Sequence, residues 1–154
     1  MAWSLYRNNT SPLQPAIVSD NLNFNWAALA AQWNQLLSAI YTGITPGSTQ
    51  TVDFFSFVNQ VFEATSFVHL AGFLVVPTGL NSICTIQPGA SNPLTGLFRG
   101  TTPGIDIPPN GCFFISNDPA GVGLLVSATD RNLDFKNNGS GNLAFTIAAL
   151  GSTT

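Results

Sequence analysis

Apolar residues follow two different periods along this chain. Leu22, Trp26, Leu29, Trp33, Leu36, Leu37 and Ile40 recur at three- and four-residue steps, the spacing that gathers side chains on one face of a helix. The pattern predicts an amphipathic helix over residues 24–42. Asn23 or Asn25 can accept a free backbone N–H at its start, and Gly43 followed by Pro46 gives it a stop. Gln32, Asn34, Gln35 and Ser38 make the polar face, and four alanines (27, 28, 30 and 31) permit close approach of a neighbour. Packing on the chain's own β domain is the simplest use of this helix; a place at a symmetry interface is the sharper one.

From residue 50 the period shortens to two. Strands are expected at 51–58, 61–69, 71–76, 82–87, 111–116, 122–127, 132–136 and 142–150, separated by breakers such as Pro77-Thr78-Gly79, Pro88-Gly89 and Pro108-Pro109-Asn110-Gly111. The clearest hairpin runs over 132–147. There Leu133, Phe135, Leu143, Phe145 and Ile147 alternate with other residues across the Asn137-Asn138-Gly139-Ser140-Gly141 turn. Eight short strands with frequent turns predict an all-β sandwich or jelly roll. Residues 1–22 have no period, and Pro12 and Pro15 keep them extended. Residues 88–109 form a long loop with apolar points at Leu94, Leu97, Phe98 and Ile105. The chain therefore divides into an N-terminal arm and helix, 1–49, and a β-sandwich domain, 50–154.

Composition sharpens this picture at the surface. Charged residues are 7% of the chain, against about 25% in typical domains. Asn and Thr, 15 of each, both outnumber the 11 charged residues, so the surface is polar but largely neutral. Neutral polar groups are cheaper to bury between partners than charges, and interface cores are depleted in Lys, Glu and Asp. An assembly subunit or a secreted-type β domain fits better than a free cytosolic enzyme. Arg7, Arg99, Arg131 and Lys136 are scattered and the net charge is −3, which argues against nucleic acid and against an anionic membrane. The N-terminus has no signal-peptide pattern, and the longest apolar stretch, 67–76, is too short for a spanning helix.

Catalytic chemistry finds little support. His69 is the single histidine and sits in an apolar run, where packing is the simpler role. No GxSxG, phosphate loop, CxxC or dense acidic calcium loop occurs. Asp118-Pro119 and Asp130-Arg131 read as turn chemistry. Cys84 and Cys112 lie in apolar runs and are expected to be buried, reduced thiols, with a disulfide left open. The chain is expected not to be an enzyme, and to use no cofactor or metal.

The second half carries a likeness. Leu94-Thr95-Gly96-Leu97-Phe98-Arg99-Gly100 leads to Ile105-Asp106-Ile107-Pro108-Pro109, then Phe113-Phe114-Ile115-Ser116-Asn117, Ala128-Thr129-Asp130-Arg131-Asn132-Leu133 and the closing segment 137–147. Over residues 70–154 this resembles small β-sandwich virion proteins of tailed bacteriophages, the group that includes head-decoration or capsid cement proteins. The resemblance implies a β domain, often trimeric, seated on the outside of a capsid against the major capsid protein and its own copies. It implies no catalytic residues. The expected function is a cement subunit that bridges capsid proteins. The alternatives are a receptor- or glycan-binding tail module, and a vertex connector or minor capsid subunit. Candidate interface residues are Trp3, Leu5 and Tyr6 in the arm, Trp26 and Trp33 on the helix, and Leu97, Phe98 and Arg99 in the long loop.

Overall fold

The fold is taken from a computed structural model that describes residues 2–4, 23–25, 35–58, 64–98, 103–117 and 123–153. The chain falls into two compact units, Met1–Gln32 and Trp33–Thr154. In the first, β1 (Ala2–Ser4) pairs antiparallel with β2 (Asn23–Asn25).

The second unit is built from antiparallel strands. They are β3 (Gln35–Ile44), β4 (Thr49–Asp53), β5 (Phe57–Val58), β6 (Ala64–Thr65), β7 (His69–Thr78), β8 (Cys84–Pro88), β9 (Ile105–Ile107), β10 (Phe113–Ser116), β11 (Leu124–Leu125), β12 (Asn132–Asn137) and β13 (Leu143–Ser152). One sheet has the order β10-β7-β13-β3, with β11 beside β7, and a second has β4-β12-β8-β9. β5 and β6 form a small separate ribbon. The only helical element among the described residues is a 3-10 turn at Thr95–Leu97.

Three expectations change here. The helix over 24–42 is not what the described residues form. Asn23–Asn25 and Gln35–Ile44 are strands, and 26–34 lie outside the described residues. β3 lies against β13 from Ile44↔Leu143 to Gln35↔Gly151, with one register shift near residue 144. The ladder to β13 outweighs a helix-friendly composition, because intrinsic propensity is a weak prior against tertiary pairing. The boundary between the two compact units falls at 32/33.

Second, the hairpin over 132–147 does not exist as a hairpin. β12 pairs with β4 and β8, whereas β13 pairs with β3 and β7, so the 138–142 turn carries the chain from one sheet to the other. The alternation did identify the inward residues: Leu133, Phe135, Leu143, Phe145 and Ile147 are all buried. Asn137 explains the crossing. Its side-chain Nδ2 donates to the Ile44 and Gly141 carbonyls at 2.9 and 2.8 Å, and its Oδ1 accepts the Gly139 N–H at 3.0 Å. This ties the turn to the end of β3 and leaves Phe135 and Phe145 facing each other across the core, ring centroids 4.6 Å apart.

Third, the 88–109 loop is partly ordered against the sheets. The Leu94 and Asn132 backbones are joined, Leu94 is fully buried, and β9 extends the second sheet through Cys84↔Ile107 and Ile86↔Ile105. The core is rich in phenylalanine. Phe54, Phe67, Phe73, Phe135 and Phe145 are buried, and close ring pairs link Phe57 to Phe67, Phe67 to Phe54, Phe54 to Phe73 and Phe73 to Phe113. Each such pair adds about 0.5–1.5 kcal/mol beyond the area it hides.

Candidate functional site

The polar groups that could carry chemistry are engaged in holding turns and strands. Asp53 accepts the Phe55 and Ser56 N–H groups at 2.8 and 3.1 Å and pairs with Arg131 at 3.3 Å, while the Arg131 guanidinium lies 5.9 Å from the Phe55 ring centroid. Asp130 accepts the Thr95 N–H at 2.7 Å and so anchors the 3-10 turn. Asp134 is buried and accepts the Thr51 hydroxyl at 2.6 Å and the Ala90 N–H at 3.1 Å. Asp106 accepts the Thr85 hydroxyl, whose oxygen in turn accepts Asn138 Nδ2. His69 is half-buried at the end of β7, between Leu125 and Ser152 in register. Among the described residues, no three His, Cys, Asp or Glu side chains cluster as a metal would require.

The cysteines are both free. Cys84 is buried, and burial, with the Asp106 charge second, pushes its thiol up to about 12. Cys112 is exposed, which corrects the expectation that both are buried. It lies just before β10.

The more informative feature is how charge is distributed over the two sheets. Side chains alternate between the two sides of a strand, so the strands' register defines each outer face. On the second sheet that face carries Asp53, Asp134, Lys136 and Asp106, set among Thr49, Thr51, Thr85 and Gln87. Arg131 and Asp130 adjoin it at the start of β12. On the first sheet the outer face consists of three cross-strand rows: Leu36–Leu150–Gly72–Ser116, Ser38–Ala148–Leu74–Phe114 and Ile40–Thr146–Val76. None of these positions is charged. Ile40 is 72% and Phe114 40% exposed, and Leu36, Leu74, Val76, Ala148 and Leu150 are half-buried. All six described charged residues thus lie on or beside the second sheet.

No protein-family model, curated protein or solved structure matches this chain. Its reading rests on its own geometry.

The residues expected at an interface are scattered in what the structure describes. Trp3 is in β1, opposite Phe24 in register. Leu5, Tyr6, Trp26, Trp33 and Arg99 lie outside the described residues. Leu97 and Phe98 are half-buried and pack against the core, and Leu97 also lines a recess of about 120 Å³ with Leu70, Phe73, Ile115 and Leu124. The charge-free face of the first sheet was not singled out from the sequence. Its signal was present: the even positions Leu36, Ser38 and Ile40, like Thr146, Ala148 and Leu150, hold no charge. Only the register between strands brings them together.

Proposed function

We propose that this chain is a virion structural protein, a capsid decoration or cement subunit of the tailed-phage type, and that the outer face of its first sheet is buried against another protein. The strand order supports the fold half of this reading. In β3-β13-β7-β10 and β4-β12-β8-β9 the chain passes between the sheets at nearly every connection, a wiring that supports the reading as an eight-strand jelly roll. That architecture serves viral capsid proteins, lectins and cupins alike, so the fold alone does not select a function.

The observation that carries the proposal is the segregation of charge. Charged groups suit a face that meets water, and interface cores are depleted in them; the charges here keep to the second sheet and its margin. Leu74, Ile40 and Phe114 on an uncharged sheet form the kind of apolar patch that marks a protein contact. A glycan site would call for acids or amides beside an exposed aromatic, and Phe114 has Leu74 and Ala148 in its row instead. The protein's place is then the capsid surface, as a homo-oligomer contacting the major capsid protein, with the trimer drawn from the resemblance.

Capsids stripped of this protein and then supplied with it test the reading. Added protein is expected to raise the temperature at which the capsids release their contents. Leu74→Lys should abolish that gain, and Thr49→Lys on the second sheet should keep it. Capsids whose heat resistance is the same with and without the protein would remove the cement role. Copy number separates a shell protein, in hundreds per particle, from a connector or fibre module, at about a dozen or fewer.

A further inference from the structure

We infer that Asn110 is a site of spontaneous deamidation in the folded protein: its side-chain amide carbon closes on the Gly111 nitrogen, and the ring then opens to aspartate and isoaspartate.

The dipeptide Asn-Gly occurs twice, at 110–111 and at 138–139. Glycine after asparagine carries no side chain to hinder ring closure and lets the backbone turn freely, so both pairs are chemically competent. The fold treats them differently. Asn138 donates its Nδ2 to the Thr85 hydroxyl at 2.6 Å and its backbone N–H to the Ile83 carbonyl at 2.9 Å. Gly139 donates its N–H to Asn137 Oδ1 at 3.0 Å, and Ser140 and Gly141 both donate to the Asn81 carbonyl. Ring closure at 138 has to undo much of this set. Asn110 is exposed, and no hydrogen bond among the described residues holds its side-chain amide. The turn around it is closed by the Gly111 N–H, which donates to the Pro108 carbonyl at 2.9 Å.

The same turn accounts for the pair standing there. Asn110 holds a φ of 60°, a region asparagine tolerates better than most residues. A Cβ on Gly111 would lie 3.0 Å from Ile107 Cγ2 and 3.0 Å from the Pro108 oxygen. The turn's two steric demands thus place the reactive dipeptide at the surface.

The chemistry needs only water. The Gly111 nitrogen attacks Asn110 Cγ; the N–Cγ bond forms, the Cγ–Nδ2 bond breaks, and Nδ2 leaves as ammonia with the Gly111 proton. Water then opens the succinimide and returns a proton to the Gly111 nitrogen. Opening at Cγ gives aspartate; opening at the Asn110 main-chain carbonyl gives isoaspartate, whose backbone runs through the former side chain. Either product adds a negative charge to the connection from β9 in the second sheet to β10 in the first. This inference does not require the capsid reading.

Incubating the full chain in heavy-oxygen water at mildly alkaline pH, followed by peptide mapping, tests it. Residue 110 of the native protein is expected to take up heavy oxygen, as a mixture of aspartate and isoaspartate, about ten-fold faster than residue 138, because fewer hydrogen bonds have to open. Urea should erase that difference. Asn110→Gln, which would have to close a larger ring, should stay unlabelled at 110. An Asn110 that remains intact in the native protein while the unfolded chain converts overturns the inference. So does native labelling at 138 as fast as at 110, or a product at 110 that is aspartate alone, which would replace ring closure by direct hydrolysis.

Discussion

Asparagine is abundant here, and the structure puts much of it to internal use. Asn81, Asn92 and Asn110 hold positive φ angles of 60°, 46° and 60°, a region asparagine tolerates better than most residues. Asn117, Asn132, Asn137 and Asn138 donate side-chain hydrogen bonds that fix loops to strands. The neutral composition is therefore partly a product of turn-making, and the case for a protein interface rests on where the charges are rather than on how few there are. Asn137 is the most committed of these residues. It is fully buried, and Asn137→Ala removes three hydrogen bonds and leaves the Ile44 carbonyl without that donor. A loss of about 2–4 kcal/mol in urea unfolding is expected. Cys84 gives a second test. Its thiol is raised from an ordinary 9.0 to about 12, so below pH 9 it is protonated in both folded and unfolded chains and leaves stability unchanged. Between pH 9 and about 12 the unfolded chain ionises it and the folded chain does not, so stability falls as pH rises through that window. At pH 8 a thiol reagent should therefore modify Cys112 alone in the native protein, and both cysteines after denaturation. Equal native labelling of the two would contradict the burial of Cys84.

At the scale of elements, the sequence pattern located most of the strands in the second unit and the residues that fill the core, but not which strands meet. Leu133, Phe135, Leu143, Phe145 and Ile147 face inward as alternation implies. Alternation is equally satisfied by a hairpin and by two strands in different sheets, and nothing local distinguishes them. Residues 35–42 failed for a related reason. Leu36, Leu37 and Ile40 fit a helical step, while Leu37, Ala39 and Tyr41 fit a strand whose inner side packs on the core. A run this short satisfies both periods, and β13 decides between them. Exposed Ser38 separates the two states experimentally. In a strand, Ser38→Thr is expected to be more stable than Ser38→Ala by up to about 1 kcal/mol; in a helix the order reverses. β9 was missed because three residues between prolines carry too little pattern to read. The link between the sheets can be measured too. Phe135→Leu and Phe145→Leu should each cost about 1–2 kcal/mol, and a double-mutant cycle should show coupling of about 0.5–1.5 kcal/mol from their stacked rings.

For the whole molecule, the decisive contrast is between one sheet that carries charge and one that does not. The sequence could not display it, because the uncharged positions come from four strands separated by up to a hundred residues and become one surface only through the register. If attachment runs through that surface, its driving force is apolar burial, which has a recognisable response to salt. Screening weakens contacts between exposed charges as ionic strength rises, whereas excluded salts such as sulfate strengthen the burial of apolar surface. Binding of this protein to capsids should accordingly change less than about three-fold as sodium chloride goes from about 50 to 500 mM. Ammonium sulfate at moderate concentration should tighten it. Leu74→Lys should weaken binding at every salt concentration, since the cost is that of placing a charge in an apolar contact. Co-sedimentation with capsids across a salt series measures all three. A fall of ten-fold or more over the sodium chloride range would assign the contact to Asp53, Asp106 and Lys136 on the second sheet, and would turn the molecule over on its partner.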